Sequence, residues 1–166
     1  MHIEYTHYQS PIGTLRLRAH ETGLVAVDHA NQQAHTDPQW QKNANHPILK
    51  LATRELQSYF DGTLTHFHTP LTPTGTPFQL RVWNALLEIP YGQTASYSDI
   101  AQELNNPKAV RAIGAANGRN PLSIFIPCHR IIGKNGSLTG YAGGTTNKEF
   151  LLRLENKHHS SPLELS

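Results

Sequence analysis

The chain of 166 residues carries 14 Lys and Arg against 12 Asp and Glu, a formal net charge of +2 at pH 7. This length allows one sizeable domain or two small ones, with enough core to fold without disulfides. No apolar run approaches the ~18 residues of a membrane span, and the polar N-terminus lacks the apolar segment of a secretory signal. Together with a single cysteine, these features predict a protein of the reducing cytoplasm that does not contact a membrane.

The N-terminal half has the pattern of a β-hairpin followed by a helix. Residues 13–18 alternate apolar and polar, residues 21–23 supply a turn, and apolar residues return at 24–27. Residues 30–46 are polar and predict a loop. Apolar residues keep a helical spacing over 48–60, which predicts one amphipathic helix.

The C-terminal half contains three helix signals. Thr76 with Gln79 three residues later is typical of a capping box, and Ser96 with Asp99 repeats the pattern. A third helix is predicted from about Lys108 to Asn117. Two short helices joined by a turn form a helix-turn-helix, the arrangement of many DNA-binding proteins.

A stretch rich in threonine and proline, residues 69–76, is a plausible linker between two domains. We therefore predict an α/β (α+β) fold. Residues 1–74 would form a small sheet-and-helix domain whose role is structural or unknown. Residues 75–166 would form a mostly helical domain with a winged helix-turn-helix and the cysteine.

The basic residues are concentrated in the second half. Residues 1–75 carry five Lys and Arg against six Asp and Glu, a balance of −1, whereas residues 76–166 carry nine against six, a balance of +3. No acidic residue lies between Glu103 and Glu149. Such a stretch suits a polyanion such as nucleic acid. The alternative is a solvated basic face without a partner.

The third predicted helix has small side chains and one long cation. A reader of the major groove would carry several long polar side chains, which this helix lacks. Small residues suit close approach to a narrow groove or to a tightly packed neighbour. Combined with the basic stretch, the pattern favours contact with a minor groove, which Arg111 could enter. The small residues are Ala109, Ala112, Gly114, Ala115 and Ala116.

The single cysteine, Cys128, follows the apolar run 122–126 and Pro127. We expect that run to be a buried strand that Pro127 ends, because proline lacks the N–H that would continue a ladder. His129 and Arg130 come next, and positive neighbours lower the pKa of a thiol. The residues alone leave two alternatives open, a reactive nucleophile and an inert buried cysteine.

Several segments of the C-terminal half, in order, resemble the O6-alkylguanine-DNA alkyltransferases, also called methylated-DNA–protein-cysteine methyltransferases. The similarity runs through roughly residues 76–156 and is closest to the bacterial single-polypeptide type. The N-terminal half fits only by its length and by its order of hairpin and helix. The segments are Asn106–Gly114, Asn120-Pro121, Ile126–Arg130, Gly140–Gly144 and Lys148–Leu152.

The resemblance implies DNA repair by direct and irreversible transfer of an alkyl group from O6 of guanine in duplex DNA to Cys128. A thiolate is well suited to attack this soft carbon, and the resemblance implies no metal and no cofactor. The thioether product is a poor leaving group, so each molecule would act once. The implied partner is double-stranded DNA containing O6-alkylguanine, with no obligate protein partner and a monomeric state. Activity on O4-alkylthymine is left open.

The resemblance also implies roles for five residues. Cys128 would accept the alkyl group, and His129 would take the thiol proton through a water. Glu155 would orient the imidazole, which completes an activated nucleophile. Asn120 would organise the active-site turn, and the hydroxyl of Tyr97 would stabilise guanine as it leaves.

The target carbon lies on a stacked base, so the nucleotide must rotate out of the duplex to reach the thiol. Arg111 is implied to fill the gap that it leaves. The implied substrate-binding residues are Tyr97, Asn117, Cys128, Ile131, Tyr141, Ala142 and Gly143. The implied DNA-binding residues are Arg111, Lys108, Ala109, Ala112, Gly114, Ala115, Arg119 and Lys134.

Three positions differ from the mammalian members of the family. Asn117 stands in place of methionine, Ser123 in place of proline and Ala142 in place of serine, which bears on how large an alkyl group fits. Two other functions are weighed. A silent damage-binding relative would lack the acceptor cysteine, which this chain has. A winged-helix regulator with a reactive sensor cysteine would bind a specific DNA sequence, and the bare third helix disfavours it.

Overall fold

The structure is a computed structural model that describes residues 2–138 and 140–158. The last part of the predicted second domain, residues 159–166, therefore lies outside the described residues. Within the described ranges, no helix is long and apolar enough to cross a lipid bilayer.

The N-terminal part is a four-stranded sheet covered by one helix. The sheet has the order β3-β2-β1-β4; β1, β2 and β3 are antiparallel neighbours, and β4 runs parallel to β1. The predicted hairpin is confirmed as β2 and β3, whereas β1 was not predicted. The predicted loop 30–46 contains β4. The strands are β1 (Glu4–Ser10), β2 (Gly13–Ala19), β3 (Leu24–Asp28) and β4 (Gln41–Lys42).

The first helix, α1, spans Pro47–Phe60 and confirms the predicted amphipathic helix. Nδ1 of His46 accepts a hydrogen bond from the backbone N–H of Ile48, which caps the helix. The apolar face of α1 is fully buried at Leu49, Leu56 and Tyr59. This face packs on the strands, and it also places Tyr59 close to the C-terminal part of the chain.

The C-terminal part is mainly helical, and the caps predicted for its first two helices are confirmed. Thr76 and Gln79 form a capping box at α2, and Ser96 and Asp99 form another at α3. The helix α4 begins at Val110, two residues later than predicted, after the turn that Ala109 closes by donating to Asn106 O. The helices are α2 (Pro77–Leu86), α3 (Tyr97–Glu103), α4 (Val110–Gly118) and α5 (Thr145–His158).

The helices α3 and α4 form the predicted helix-turn-helix. Beside it, β5 (Ala95–Ser96) pairs in parallel with β6 (Ile131–Ile132). The backbone N–H of Val27 donates to Pro121 O at 2.8 Å, which fastens the N-terminal sheet to the segment that leads to the cysteine.

The prediction of a strand over residues 122–126 is wrong. The segment is a tight turn in which the backbone N–H of Ile126 donates to Leu122 O at 2.9 Å. Ile124 has a φ of 77°, in the left-handed region. The turn replaces a strand because the side chain of Asn120 bonds the backbone at both of its ends.

Candidate active site

The turn delivers Cys128 into the protein interior. Cys128–Arg130 form a short 3-10 turn, and the backbone N–H of Cys128 donates to Ile126 O at 2.7 Å. Only 2% of Cys128 is exposed. The polar side chains of Asn120 and Ser123 act to lower the pKa of the thiol, so one of the positions that differ from the mammalian proteins influences Cys128.

The expectation that the neighbouring cations lower the pKa of this thiol is wrong for the structure. Burial raises the pKa of Cys128, and the hydrogen bonds from Asn120 and Ser123 and the charge of Lys148 offset this only in part. His129 and Arg130 do not offset the effect of burial, because their side chains both bond Glu155.

His129 and Glu155 form a buried pair, with Nε2 and Oε2 2.6 Å apart. The imidazole is 0% exposed and the carboxylate 1% exposed. Burial lowers the pKa of His129, although Glu155 acts in the opposite direction. The other ring nitrogen, Nδ1, is buried and has no hydrogen-bond partner among the described residues. A neutral imidazole with one free nitrogen is the state that can accept a proton.

Glu155 is held as an anion by several donors. Arg130 donates from Nε to Oε1 at 2.8 Å and from Nη2 to Oε2 at 3.1 Å. Tyr59 Oη donates to Oε2 at 2.6 Å, and the backbone N–H of Gly92 donates to Oε1 at 3.3 Å. Burial alone would raise the pKa of Glu155, but His129 and Arg130 hold it well below its usual value.

Lys148 is a buried cation that, from the sequence alone, was only one member of the basic stretch. It is 0% exposed, and Nζ donates to Ile131 O at 2.5 Å. Burial lowers the pKa of Lys148, and the nearby Cys128 opposes this. The helical spacing of Lys148 from Leu151 and Glu155 is the sequence signal for its burial, because the three residues share one buried face of α5.

Tyr97 and Asn117 lie on the helix-turn-helix side of the thiol. Tyr97 is half-buried at the start of α3. Burial raises its pKa, the charge of Cys128 adds to this, and a hydrogen bond from Asn117 opposes it. Asn117 is buried, and its Nδ2 donates to Cys128 O at 3.4 Å. Tyr97 therefore keeps its phenolic proton at neutral pH.

The predicted pocket wall at 141–143 is held by the N-terminal part of the chain. The ring of Tyr141 lies edge-on against that of His29, with centroids 5.3 Å apart. Gly143 packs so closely that an added Cβ would lie 2.6 Å from His29 Cε1. Asn31 Nδ2 donates to Ala142 O at 3.2 Å. These contacts could not be predicted from the sequence, since a separation of 111 residues leaves no local pattern.

The predicted DNA-binding residues lie on α4 or next to it in the sequence, except Lys134, which lies in the turn after β6. The inward face of this helix carries Ile113, Ala116 and Asn117, which leaves a smooth outward face of small residues with cations around it. Ala109 and Gly114 are partly buried, and Gly114 lies under the ring of Tyr97. The exposed members of the set are Lys108, Arg111, Ala112, Ala115, Arg119 and Lys134.

A cavity of about 610 Å³ lies far from the cysteine, in the N-terminal part. His20 and His46 line it, but Nδ1 of each accepts a backbone hydrogen bond, from Thr22 and Ile48 respectively. In the described parts of the chain, no three His, Cys, Asp or Glu side chains are grouped so that they could hold a metal ion. Cys128, His129 and Glu155 do not line this cavity.

Comparison with known families accounts for both halves of the chain. Residues 77–157 match the 6-O-methylguanine DNA methyltransferase DNA binding domain, and residues 3–73 match the ribonuclease-like domain of the same family. The chain belongs to the 6-O-methylguanine DNA methyltransferase family. Membership over both halves favours alkyl transfer over the winged-helix regulator that the helix-turn-helix alone left open.

Relatives of this methyltransferase share nearly half of its sequence. The methylated-DNA–protein-cysteine methyltransferase of Methanosarcina acetivorans is 48% identical over 153 residues, covering 91% of this chain and 97% of the relative. The constitutive methylated-DNA–protein-cysteine methyltransferase of Bacillus subtilis is 46% identical over 155 residues, covering 91% and 94%.

Two solved structures have the same fold. The crystal structure of the Mycobacterium tuberculosis O6-methylguanine methyltransferase matches with a TM-score of 0.86 and 42% identity, covering 98% of each chain. The M. tuberculosis OGT in complex with DNA also matches with a TM-score of 0.86, at 44% identity, covering 93% of this chain and 94% of that one.

Proposed function

We propose that this methyltransferase repairs DNA by moving the alkyl group of O6-alkylguanine onto Sγ of Cys128. The observation that carries the proposal is a buried thiol directly followed by a buried His129–Glu155 pair. An S–C bond forms as the C–O6 bond breaks, and the thioether keeps the group. Each molecule therefore acts once, as a reagent rather than as a turnover catalyst.

Different residues around the thiol accept its proton and donate a hydrogen bond to the leaving guanine. The free Nδ1 of His129 accepts the thiol proton through a water, and Glu155 orients the ring and stabilises the imidazolium. The electron pair of the broken bond stays on guanine O6. Tyr97 keeps its proton because burial raises its pKa, so its hydroxyl can donate to the departing purine. Asn120 holds the turn.

The burial of Cys128 supports base flipping. With 2% of this residue exposed, its sulfur cannot reach a base that is stacked inside a duplex. The outward face of α4 would lie in the minor groove, where Arg111 fills the gap. Lys108, Arg119 and Lys134 would contact phosphates and confer affinity without sequence preference. The residues proposed to line the base pocket are Tyr97, Asn117, Ile131, Tyr141, Ala142 and Gly143.

The proposed division of the chain is a domain over 1–74 and an alkyltransferase domain over 75–166. Support comes from the two family matches, which end at residue 73 and begin again at residue 77. We propose that the protein binds DNA as a monomer in the cytoplasm, because its reaction needs a reduced thiol and access to DNA.

Intact mass after incubation with a duplex that contains one O6-methylguanine tests the function. We expect one addition of about 14 Da, complete at one equivalent, because the thiol hydrogen is replaced by a methyl group. Cys128→Ser should show no addition. An unchanged mass at saturating substrate, with a thiol that is oxidised reversibly, would instead indicate the regulator.

A further inference from the structure

Tyr59 is a residue of the N-terminal half that bonds a group of the proposed active site. It lies on α1, is 0% exposed, and its Oη is 2.6 Å from Oε2 of Glu155. The same carboxylate oxygen bonds Nε2 of His129, also at 2.6 Å. Tyr59 and Glu155 are 96 residues apart in the sequence, so α1 has to pack against α5 for this contact to form.

The phenol is the donor in this contact. Burial raises the pKa of Tyr59 well above its ordinary value, and the negative charge of Glu155 raises it further. The hydroxyl is therefore protonated at neutral pH, and a carboxylate can only accept from it. A hydrogen bond to a charged group is stronger than one between neutral groups.

We propose that Tyr59 is a positioning residue for the alkyl transfer and acts through Glu155 on His129. This inference rests on the proposed function and adds a role for the N-terminal domain. Arg130 contacts both oxygens of the carboxylate and pulls it toward its own guanidinium. The hydrogen bond from Tyr59 holds Oε2 in the position in which it also bonds Nε2 of His129.

Loss of the phenol should change the titration of His129. The charged groups that act on this imidazole are Glu155, Arg130 and Lys148. Without the bond from Tyr59, the charge of the carboxylate is less dispersed and attracts the imidazolium more strongly. His129 then holds its proton to a higher pH, so in the acid range less of the neutral imidazole is present to act as a base.

Tyr91 provides a matched control. Its ring lies 6.2 Å from that of Tyr59, and Tyr91 is also buried. Its hydroxyl has no hydrogen-bond partner among the described residues. The ring of Tyr91 also faces the guanidinium of Arg130, 5.7 Å from the ring centroid, and phenylalanine keeps this contact. Tyr91→Phe thus removes a neighbouring buried hydroxyl that forms no hydrogen bond with any of these groups.

The test is the rate of methyl transfer from a duplex with one O6-methylguanine, measured against pH for wild type, Tyr59→Phe and Tyr91→Phe. We expect Tyr59→Phe to react about 10-fold more slowly at neutral pH, the effect of one charged hydrogen bond. Its acid limb should move to higher pH, and its final stoichiometry should remain one. Tyr91→Phe should match the wild type. The inference is overturned if Tyr59→Phe matches the wild type in rate and profile, or if both variants change equally.

Two further measurements separate positioning from general damage. NMR titration of His129 should show the higher pKa in Tyr59→Phe without any need for activity; an unchanged titration contradicts the inference. In a Glu155→Gln background, Tyr59→Phe should cause little further loss of rate, whereas additive losses contradict action through Glu155. If the wild type transfers no methyl group, the proposed function fails, which is a different outcome from an active wild type matched by Tyr59→Phe.

Discussion

The carboxamide of Asn120 encloses the turn on which Ile124 takes a left-handed backbone conformation. Asn120 Oδ1 accepts from the backbone N–H of Leu122 at 2.9 Å, and Nδ2 donates to Ile126 O at 2.8 Å. Ile124 has a φ of 77°, which a β-branched residue adopts only at a cost of about 1–3 kcal/mol. The side chain of Asn120 therefore stabilises the strained turn that aims Cys128.

Asn120→Ala should destabilise the protein and slow alkyl transfer. It removes two buried hydrogen bonds and leaves the backbone N–H of Leu122 unpaired, whereas Ile126 O keeps the bond from Cys128 N–H. The free energy of unfolding should fall by about 2–4 kcal/mol. Urea denaturation measures this change. Asn84→Ala, at an exposed position on α2, is the control and should have little effect. Equal stability of the two variants would contradict the role of Asn120.

Local signals predicted the helices, but they did not predict this turn. The capping boxes at Thr76 and Ser96 each lie within four residues, so the sequence alone specifies them. The apolar run 122–126 has the composition of a strand, and composition carries no information about the φ of Ile124. Hydrogen bonds from Asn120 decide the conformation there.

The sequence predicted those residues of the candidate site that match segments of the family. The resemblance named His129 and Glu155, which the structure brings together. The roles of Lys148 and Tyr59 were not predicted, since they arise from the packing of α5 against distant segments. The direction in which the pKa of Cys128 moves also depends on burial, which adjacent residues do not reveal.

Lys148→Met should reduce the reactivity of Cys128. The charge of Lys148 is one of the influences that lower the thiol pKa against the effect of burial, so its removal should raise that pKa further. The pH dependence of alkylation by iodoacetamide should therefore move to higher pH. At a fixed pH below the thiol pKa, the thiolate fraction falls about 10-fold when that pKa rises by about one.

Lys157→Met is the matched control, because Lys157 is exposed in the last turn of the same helix. It should leave the thiol titration unchanged. Superimposable curves for Lys148→Met and the wild type would show that the buried cation does not act on the sulfur. Thermal unfolding of each variant checks that the loss of the bond to Ile131 O has not unfolded the site.

Arg111→Ala should separate reaction on duplex DNA from reaction on a free base. If Arg111 fills the gap left by the rotated nucleotide, its loss makes flipping costlier, and transfer from duplex DNA should slow by about 100-fold. Reaction with free O6-benzylguanine, if that base fits the pocket, needs no flipping and should be retained. Arg54→Ala, an exposed arginine on α1, controls for loss of charge. Equal losses on both substrates would contradict the gap-filling role.

His29 should make the protein less stable as the pH falls. Burial lowers its pKa, and neither ring nitrogen has a hydrogen-bond partner among the described residues. The unfolded chain takes up a proton at this position below its ordinary pKa of about 6.5, whereas the folded protein resists it. Unfolding therefore gains protons, so this contribution to stability is present above pH ~6.5 and is lost at lower pH.

His29→Phe should reduce the fall in stability at low pH, because phenylalanine does not titrate and can keep the edge-on contact with Tyr141. The free energy of unfolding is measured by urea denaturation between pH values of about 7.5 and 5.0. Its decrease should be smaller in the variant by up to about 1.4 kcal/mol for each pH unit below the unfolded pKa. The decrease that remains would come from other groups, including His129, whose pKa burial also lowers. His66→Phe, at an exposed histidine, should follow the wild type, and a parallel decrease in His29→Phe would exclude His29 as the source.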